Sequence, residues 1–219
     1  MSAKEKINEI HIVTKYIDTL LTTGKPPKSI YVFSKELATE ESEFYQYFSS
    51  FKHLEERIFA LFFENAISVL EKNEDFGKYD SKNKILSLYF TYIEILTANR
   101  SYVLLALKSA SNAFEYAKKL KGLKKVFGNF TETLDIDKIE INQETIEKFQ
   151  DKGIQEGFWL QFLMIIKYWM EDTSSSFEKT DLFIEKSVLA SFDVLETKPA
   201  KSIIDLGKFL LKERMNFKM

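Results

Sequence analysis

Apolar residues near the start of the chain fall at Ile7, Ile10, Val13, Ile17 and Leu20. Spacings of three and four put them on one face of a helix. Gly24 ends that helix, and Pro26 and Pro27 keep the chain from re-entering it at once. Ser29 is placed to cap a second, short helix from Ile30 to about Ala38. A third, from about Glu40 to Tyr47, stops before Ser49 and Ser50. Ser50 then caps a long helix from Phe51, with Leu54, Ile58, Leu61, Phe62, Ile67 and Leu70 facing inward. Two short helices joined by a tight turn form a helix-turn-helix unit, whose second helix enters the major groove of DNA.

The later pattern is also helical. After a polar loop, helices are expected near Ile85–Thr97 and Tyr102–Leu120. The stretch from Lys121 to Asn142 fits neither the helical nor the strand period, and its KKLKGLKK run reads as a solvated surface helix end. From Thr145 to Met170 the helical signal is strongest. Asp172 and the serines after it break that helix, and Ser175 with Glu178 has the form of a capping box opening the next. A last helix is expected from Ser202 to about Met215. No segment has a clean strand pattern, so the fold class is all-α.

Composition sharpens this picture. Seven Gly and three Pro in 219 residues are few, as long helices with few turns require. Phe occurs 20 times and Tyr 10 times, which fits a large aromatic core. There is no Cys, and the two histidines, His11 and His53, lie on different expected helices. Zinc sites, thiol chemistry and a Ser-His-Asp triad therefore find no support. Phosphate-cradling glycine loops are also missing. No cofactor, no metal and no catalytic residue is expected, and the chain is not read as an enzyme. The N-terminus lacks a signal-peptide pattern and no apolar run spans a bilayer. A soluble, cytoplasmic protein is expected.

From Leu20 to Leu54 the chain resembles the DNA-binding domain of tetracycline-repressor-like (TetR) transcriptional regulators. Leu20 and Gly24 sit at the end of the first helix, Ser29 opens the second, and Phe33-Ser34 stands for an Ile-Ala pair. Tyr45-Gln46-Tyr47-Phe48 matches Tyr-x-Tyr-Phe, and Leu54 falls on the leucine of the following helix. Three departures stand out. The Ala-Gly-Val turn reads Leu37-Ala38-Thr39, which puts Ala where a positive φ favours Gly. Glu40 replaces the Ser that caps the reading helix, leaving Thr39 or the Glu40 carboxylate as the expected cap. Phe51 replaces the exit-turn Lys, with Lys52 one place on.

The resemblance implies a helix-turn-helix domain over residues 1–50 and a larger helical regulatory and dimerisation domain over 51–219. It implies DNA contacts from Lys28, Ser29, Lys35, Glu41, Glu43, Tyr45, Gln46 and Lys52. An apolar ligand cavity, by position in the family, would use Phe63, Tyr89, Phe90, Tyr92, Ile93, Trp159, Phe162 and Ile166. The last long helix pair would form a four-helix homodimer interface, with Leu163, Trp169, Phe183, Ser187 and Phe192 as candidates. The implied function is a homodimeric repressor of a palindromic operator, released by a small apolar or aromatic ligand. Charge opens an alternative. Residues 1–60 carry eight positive and nine negative side chains, a net of −1, with Glu40, Glu41 and Glu43 at the reading helix. Phosphate neutralisation sets most of the affinity for DNA. A protein of this shape that no longer reads DNA, and acts as a ligand-sensing or protein-interaction module, fits the same residues.

Overall fold

A computed structural model describes residues 7–108, 113–136 and 144–196. Every regular element among them is helical: ten α-helices and two short 3₁₀ turns. The chain divides into two compact units, Met1–Asn65 with Glu94–Val126, and Ala66–Ile93 with Phe127–Met219. The helix expected from Ser202 lies outside the described residues.

The first unit opens with α1, Glu9–Thr23. Asn8 caps it by accepting the His11 N–H, and Gly24 closes it in the left-handed conformation at φ 72°. Its inward face is Ile12, Val13, Tyr16 and Leu20. Ile10 is 58% exposed and Ile17 only half-buried, which corrects the expected face by rotating it toward Tyr16. The large Tyr16 ring wins the inward position, and its hydroxyl donates to the Glu55 carboxylate. Burial, and then this acceptor, push the phenol pKa far above its usual range.

Helix α2, Ile30–Glu36, begins as expected, with the Ser29 hydroxyl accepting the Val32 N–H at 3.2 Å. It ends two residues early. Thr39 N–H bonds to the Ser34 carbonyl and Ala38 N–H to the Lys35 carbonyl, the paired bonds of a Schellman ending. Ala38 takes the left-handed position at φ 53°. The positive φ demanded by the turn is retained without its glycine, at a cost of order 1 kcal/mol.

Helix α3, Glu41–Tyr45, is shorter than expected, and Glu40 is its N-cap. Neither expected side-chain cap forms. The Glu40 carboxylate instead accepts from Lys35 Nζ at 3.2 Å. Helix α4, Phe51–Glu71, starts with Ser50 Oγ accepting the His53 N–H. Its fully buried side is Leu54, Ile58, Phe59, Phe63 and Ala66, whereas Leu61, Phe62, Ile67 and Leu70 are only half-buried. The covered face is centred on Phe59 and Phe63, one turn apart, with Phe62 at its edge.

The rest of the first unit comes from later sequence. The single helix expected over Tyr102–Leu120 is instead α6, Arg100–Lys108, and α7, Ala113–Lys119. Helix α6 packs on α1. The ambiguous stretch forms α8, Lys121–Glu132, whose first residues belong to this unit. A Cβ at Gly122 would collide with the Glu56 carbonyl oxygen, so glycine lets α8 approach the α4 backbone.

The second unit is built on α5, Ser81–Ala98, as far as Ile93, the end of α8, α9, Glu144–Glu171, and α10, Glu178–Glu196. Helices α9 and α10 pack together. Asp172 organises the turn between them, correcting the expected Ser175–Glu178 capping box. Its carboxylate accepts from the N–H and hydroxyl of both Ser174 and Thr180. Burial pushes its pKa up, but these four donors outweigh burial and hold the carboxyl well below the usual range.

Candidate functional site

The helix-turn-helix surface rests on a cluster of rings. Phe33 and Phe44 meet edge-to-face at 6.1 Å, and Phe51 lies 5.7 Å from Phe44, 5.5 Å from Phe33 and 5.5 Å from Tyr16. Phe44 and Phe48 are buried. The side chain standing at the family's exit-turn lysine therefore joins the scaffold that fixes α2, α3 and α4 against α1. Each fully buried Phe contributes about 1.5–3 kcal/mol. Tyr47 is tied inward, donating to the Ile7 carbonyl at 3.1 Å.

Of the candidate DNA contacts, Lys28, Ser29, Lys35, Tyr45, Gln46 and Lys52 are exposed, while Glu41 and Glu43 are half-buried. Ser29 uses its oxygen as a cap, so its hydroxyl hydrogen remains available to a phosphate. Tyr45 is 52% exposed on α3. Lys35 is held between the Glu40 carboxylate and the Tyr31 ring, 5.5 Å from the ring centre. Gln46 donates to Glu43 at 3.0 Å. Arg57 forms ion pairs with Glu9 at 2.9 Å and Glu64 at 2.6 Å. The Arg57 guanidinium fork is therefore not open to a guanine.

The candidate ligand residues are largely buried, with Phe90 half-buried and Phe63 in the first unit. In the second unit, Phe162 stacks on Tyr89 at 5.0 Å and on Phe127 at 4.8 Å, with Tyr92 at 5.1 Å. Trp159 lies 5.6 Å from Phe127. Ile93 and Ile166 are also buried in this unit. The Tyr89 hydroxyl donates toward the Gln161 side-chain oxygen and the Phe158 carbonyl, each at 3.3 Å. Gln161 in turn donates to Ser191 at 2.9 Å, joining α5, α9 and α10 by polar bonds. Sequence reasoning passed over Gln161. Its signal was a lone amide inside the apolar run Gly157 to Ile166.

The candidate interface residues divide. Trp169 is fully buried within its own chain and has no surface left for a partner. Leu163, Phe183, Ser187 and Phe192 are half-buried. Phe183 stacks on Tyr168 at 4.8 Å, and Phe192 lies 5.7 Å from Phe158. The exposed apolar side chains are others: Leu160, Met164 and Tyr168 at four-residue intervals on α9, and Leu182, Leu189 and Val194 on α10. The expected apolar girth of α9 is thus split between an inner and an outer face.

Among the described residues, no group of side chains could hold a metal ion, and no helix is long and apolar enough to cross a membrane. No curated protein matches the chain. A family model, described as the C-terminal domain of tetracyclin repressor-like proteins, matches residues 84–210, more than half the chain. That match covers α9 and α10 and lies beyond the motifs at Leu20–Leu54. Two separate stretches of one all-helical chain thus point the same way, and the protein belongs to the tetracycline-repressor-like family.

Proposed function

We propose that the chain is a homodimeric, ligand-responsive transcriptional repressor. Residues 1–50 are the DNA-binding domain and residues 51–219 the regulatory and dimerisation domain. The observation that carries this is the helix-turn-helix geometry. Ser29 caps α2, Ala38 adopts the left-handed turn, and Tyr45 at the end of α3 and Gln46 just after it stand exposed above a ring scaffold. Ser29 and Tyr45 donate to phosphates, with Lys28 and Lys52 supplying charge. Glu41 and Glu43, though acidic, can accept from a cytosine amino group.

The outer face of α9 and α10 supports the dimer. Leu160, Met164, Tyr168, Leu182 and Leu189 make an apolar surface that a second copy would cover. A two-fold dimer reads a palindromic operator. A small flat apolar ligand would enter among Tyr89, Phe127 and Phe162 by displacing one ring. Binding one arrangement of the dimer better than the other would shift the population away from the DNA-competent state.

The test is footprinting and anisotropy on DNA from upstream of the protein's own gene, across a salt series. A two-fold footprint with steep salt dependence is expected. No footprint and a flat salt response would sink the proposal. One observation favours the second reading, a family member that has stopped reading DNA: Glu40 neutralises Lys35, and Glu43 occupies Gln46. On that reading, E40K/E41K/E43K creates duplex affinity that the parent lacks. Tight binding by the parent would remove it.

A further inference from the structure

The helix-turn-helix segment carries no net positive charge. Residues 1–65 hold eight positive and ten negative side chains. Residues 94–126, which fold into the same unit, hold seven positive and two negative, which brings that unit to a net +3. The basic excess therefore arrives from the KKLKGLKK run, far along the chain from the motif it accompanies.

Two contacts fix where this run lies, and a third places Lys52 beside them. Gly122 sits against the Glu56 carbonyl, so the start of α8 is held on the first turns of α4. Lys119 pairs with Glu55 at 3.6 Å. Lys52, one residue past the exit of the helix-turn-helix, pairs with Glu56 at 3.9 Å. Lys52, Lys118 and Lys121 are all exposed. Lys118 foremost, and Lys121 more weakly, crowd the Lys52 ammonium with like charge. This approach, more than partial desolvation or the remaining repulsion, lowers the Lys52 pKa, and Glu56 offsets the change only in part. Ammonium groups gathered in this way favour an anion between them.

We propose that Lys52, Lys118 and Lys121 form a second contact surface for the DNA phosphate backbone, extending the footprint beyond the helix-turn-helix. The inference rests on the DNA-binding function proposed above and adds to it the charge that residues 1–65 lack. A phosphate bears its charge on several oxygens and can accept from two or three ammonium groups at once, which relieves their mutual repulsion. Because the contact is to the backbone, it adds affinity and salt dependence without sequence preference.

The experiment measures anisotropy of a fluorescein-labelled mixed-sequence duplex against salt for the parent, Lys118→Gln/Lys121→Gln, Lys118→Arg/Lys121→Arg and the remote control Lys179→Gln. Each lost phosphate contact lowers the slope of log K against log salt by about 0.9 and weakens binding about tenfold near 0.1 M salt. The glutamine pair should lose about two such contacts, while the arginine pair and the control keep the parent slope. Thermal melts of each variant confirm folding. If the parent binds and the glutamine pair keeps its slope, this inference falls and the DNA-binding function stands. If the pair loses only inorganic phosphate binding, followed by NMR of the lysine side chains, the surface is a small-anion site and the inference also falls. A parent that binds no duplex at all removes both.

Discussion

Two clusters of rings hold the two units, and they differ in kind. In the first, Phe33, Phe44 and Phe51 meet at steep angles, 73° to 88°. They come from three successive helices, the short α2 and α3 and the start of the long α4, and edge-to-face contacts suit such a junction because each ring fits a different corner. In the second, Tyr89, Phe127 and Phe162 lie nearly parallel, 12° to 14° apart. A parallel stack is layered, so removing one ring leaves a flat slot. The angular cluster fixes the place of α3 and has no slot to offer. The stack is therefore where the flat apolar ligand proposed above would fit, by displacing a ring.

The largest effect that probes this contrast is loss of a ring from each cluster. Phe162→Ala and Phe44→Ala should each cost about 3–5 kcal/mol, seen as a lower urea midpoint. Indole should restore part of the midpoint for Phe162→Ala and none for Phe44→Ala. Equal rescue of both would erase the distinction. A smaller effect tests the turn that ties α9 to α10. Asp172→Asn should cost about 1–2 kcal/mol at neutral pH by weakening four charge-assisted bonds. The folded-state pKa lies below the unfolded one. The stabilisation is therefore complete above the ordinary carboxylate range and is lost as pH falls through the lowered folded value. Denaturation of parent and variant should converge on acidification; a constant gap would show the carboxylate's charge is not the cause.

The smallest effects concern the angular cluster's own imperfections. Ser34 is buried with no partner for its hydroxyl, and Ala38 holds a positive φ. Ser34→Ala should stabilise by about 1 kcal/mol and Ala38→Gly by about 0.5–1 kcal/mol, both as higher melting temperatures. A loss of stability in Ala38→Gly would mean that the gain in unfolded-chain freedom exceeds the strain relieved.

Helix starts at Ile30 and Phe51 and the closure at Gly24 were legible in the sequence because they depend on residues within four or five positions, whereas the left-handed turn at Ala38 was legible only through the family resemblance. The same locality made the reading segment recognisable from Tyr45-Gln46-Tyr47-Phe48. Inward faces were less legible. Tyr16 replaced Ile10 on α1, and Phe59 and Phe63 replaced Leu61 and Phe62 on α4, because partners distant in sequence decide which side is covered. The outer α9 face was hidden for a related reason. An all-round apolar pattern shows that both sides need covering but not which residues face which neighbour.

The sequence by itself determined an all-helical chain, its capped short helices and its family resemblance, since periodicity and caps are local properties of the backbone. Only the tertiary structure decided the charge environment of the helix-turn-helix. Lys35 is neutralised by a glutamate five residues away, and Lys52 is joined by lysines more than sixty residues later. Electrostatic potential depends on distance in space, and the approach of α8 at Gly122 sets that distance.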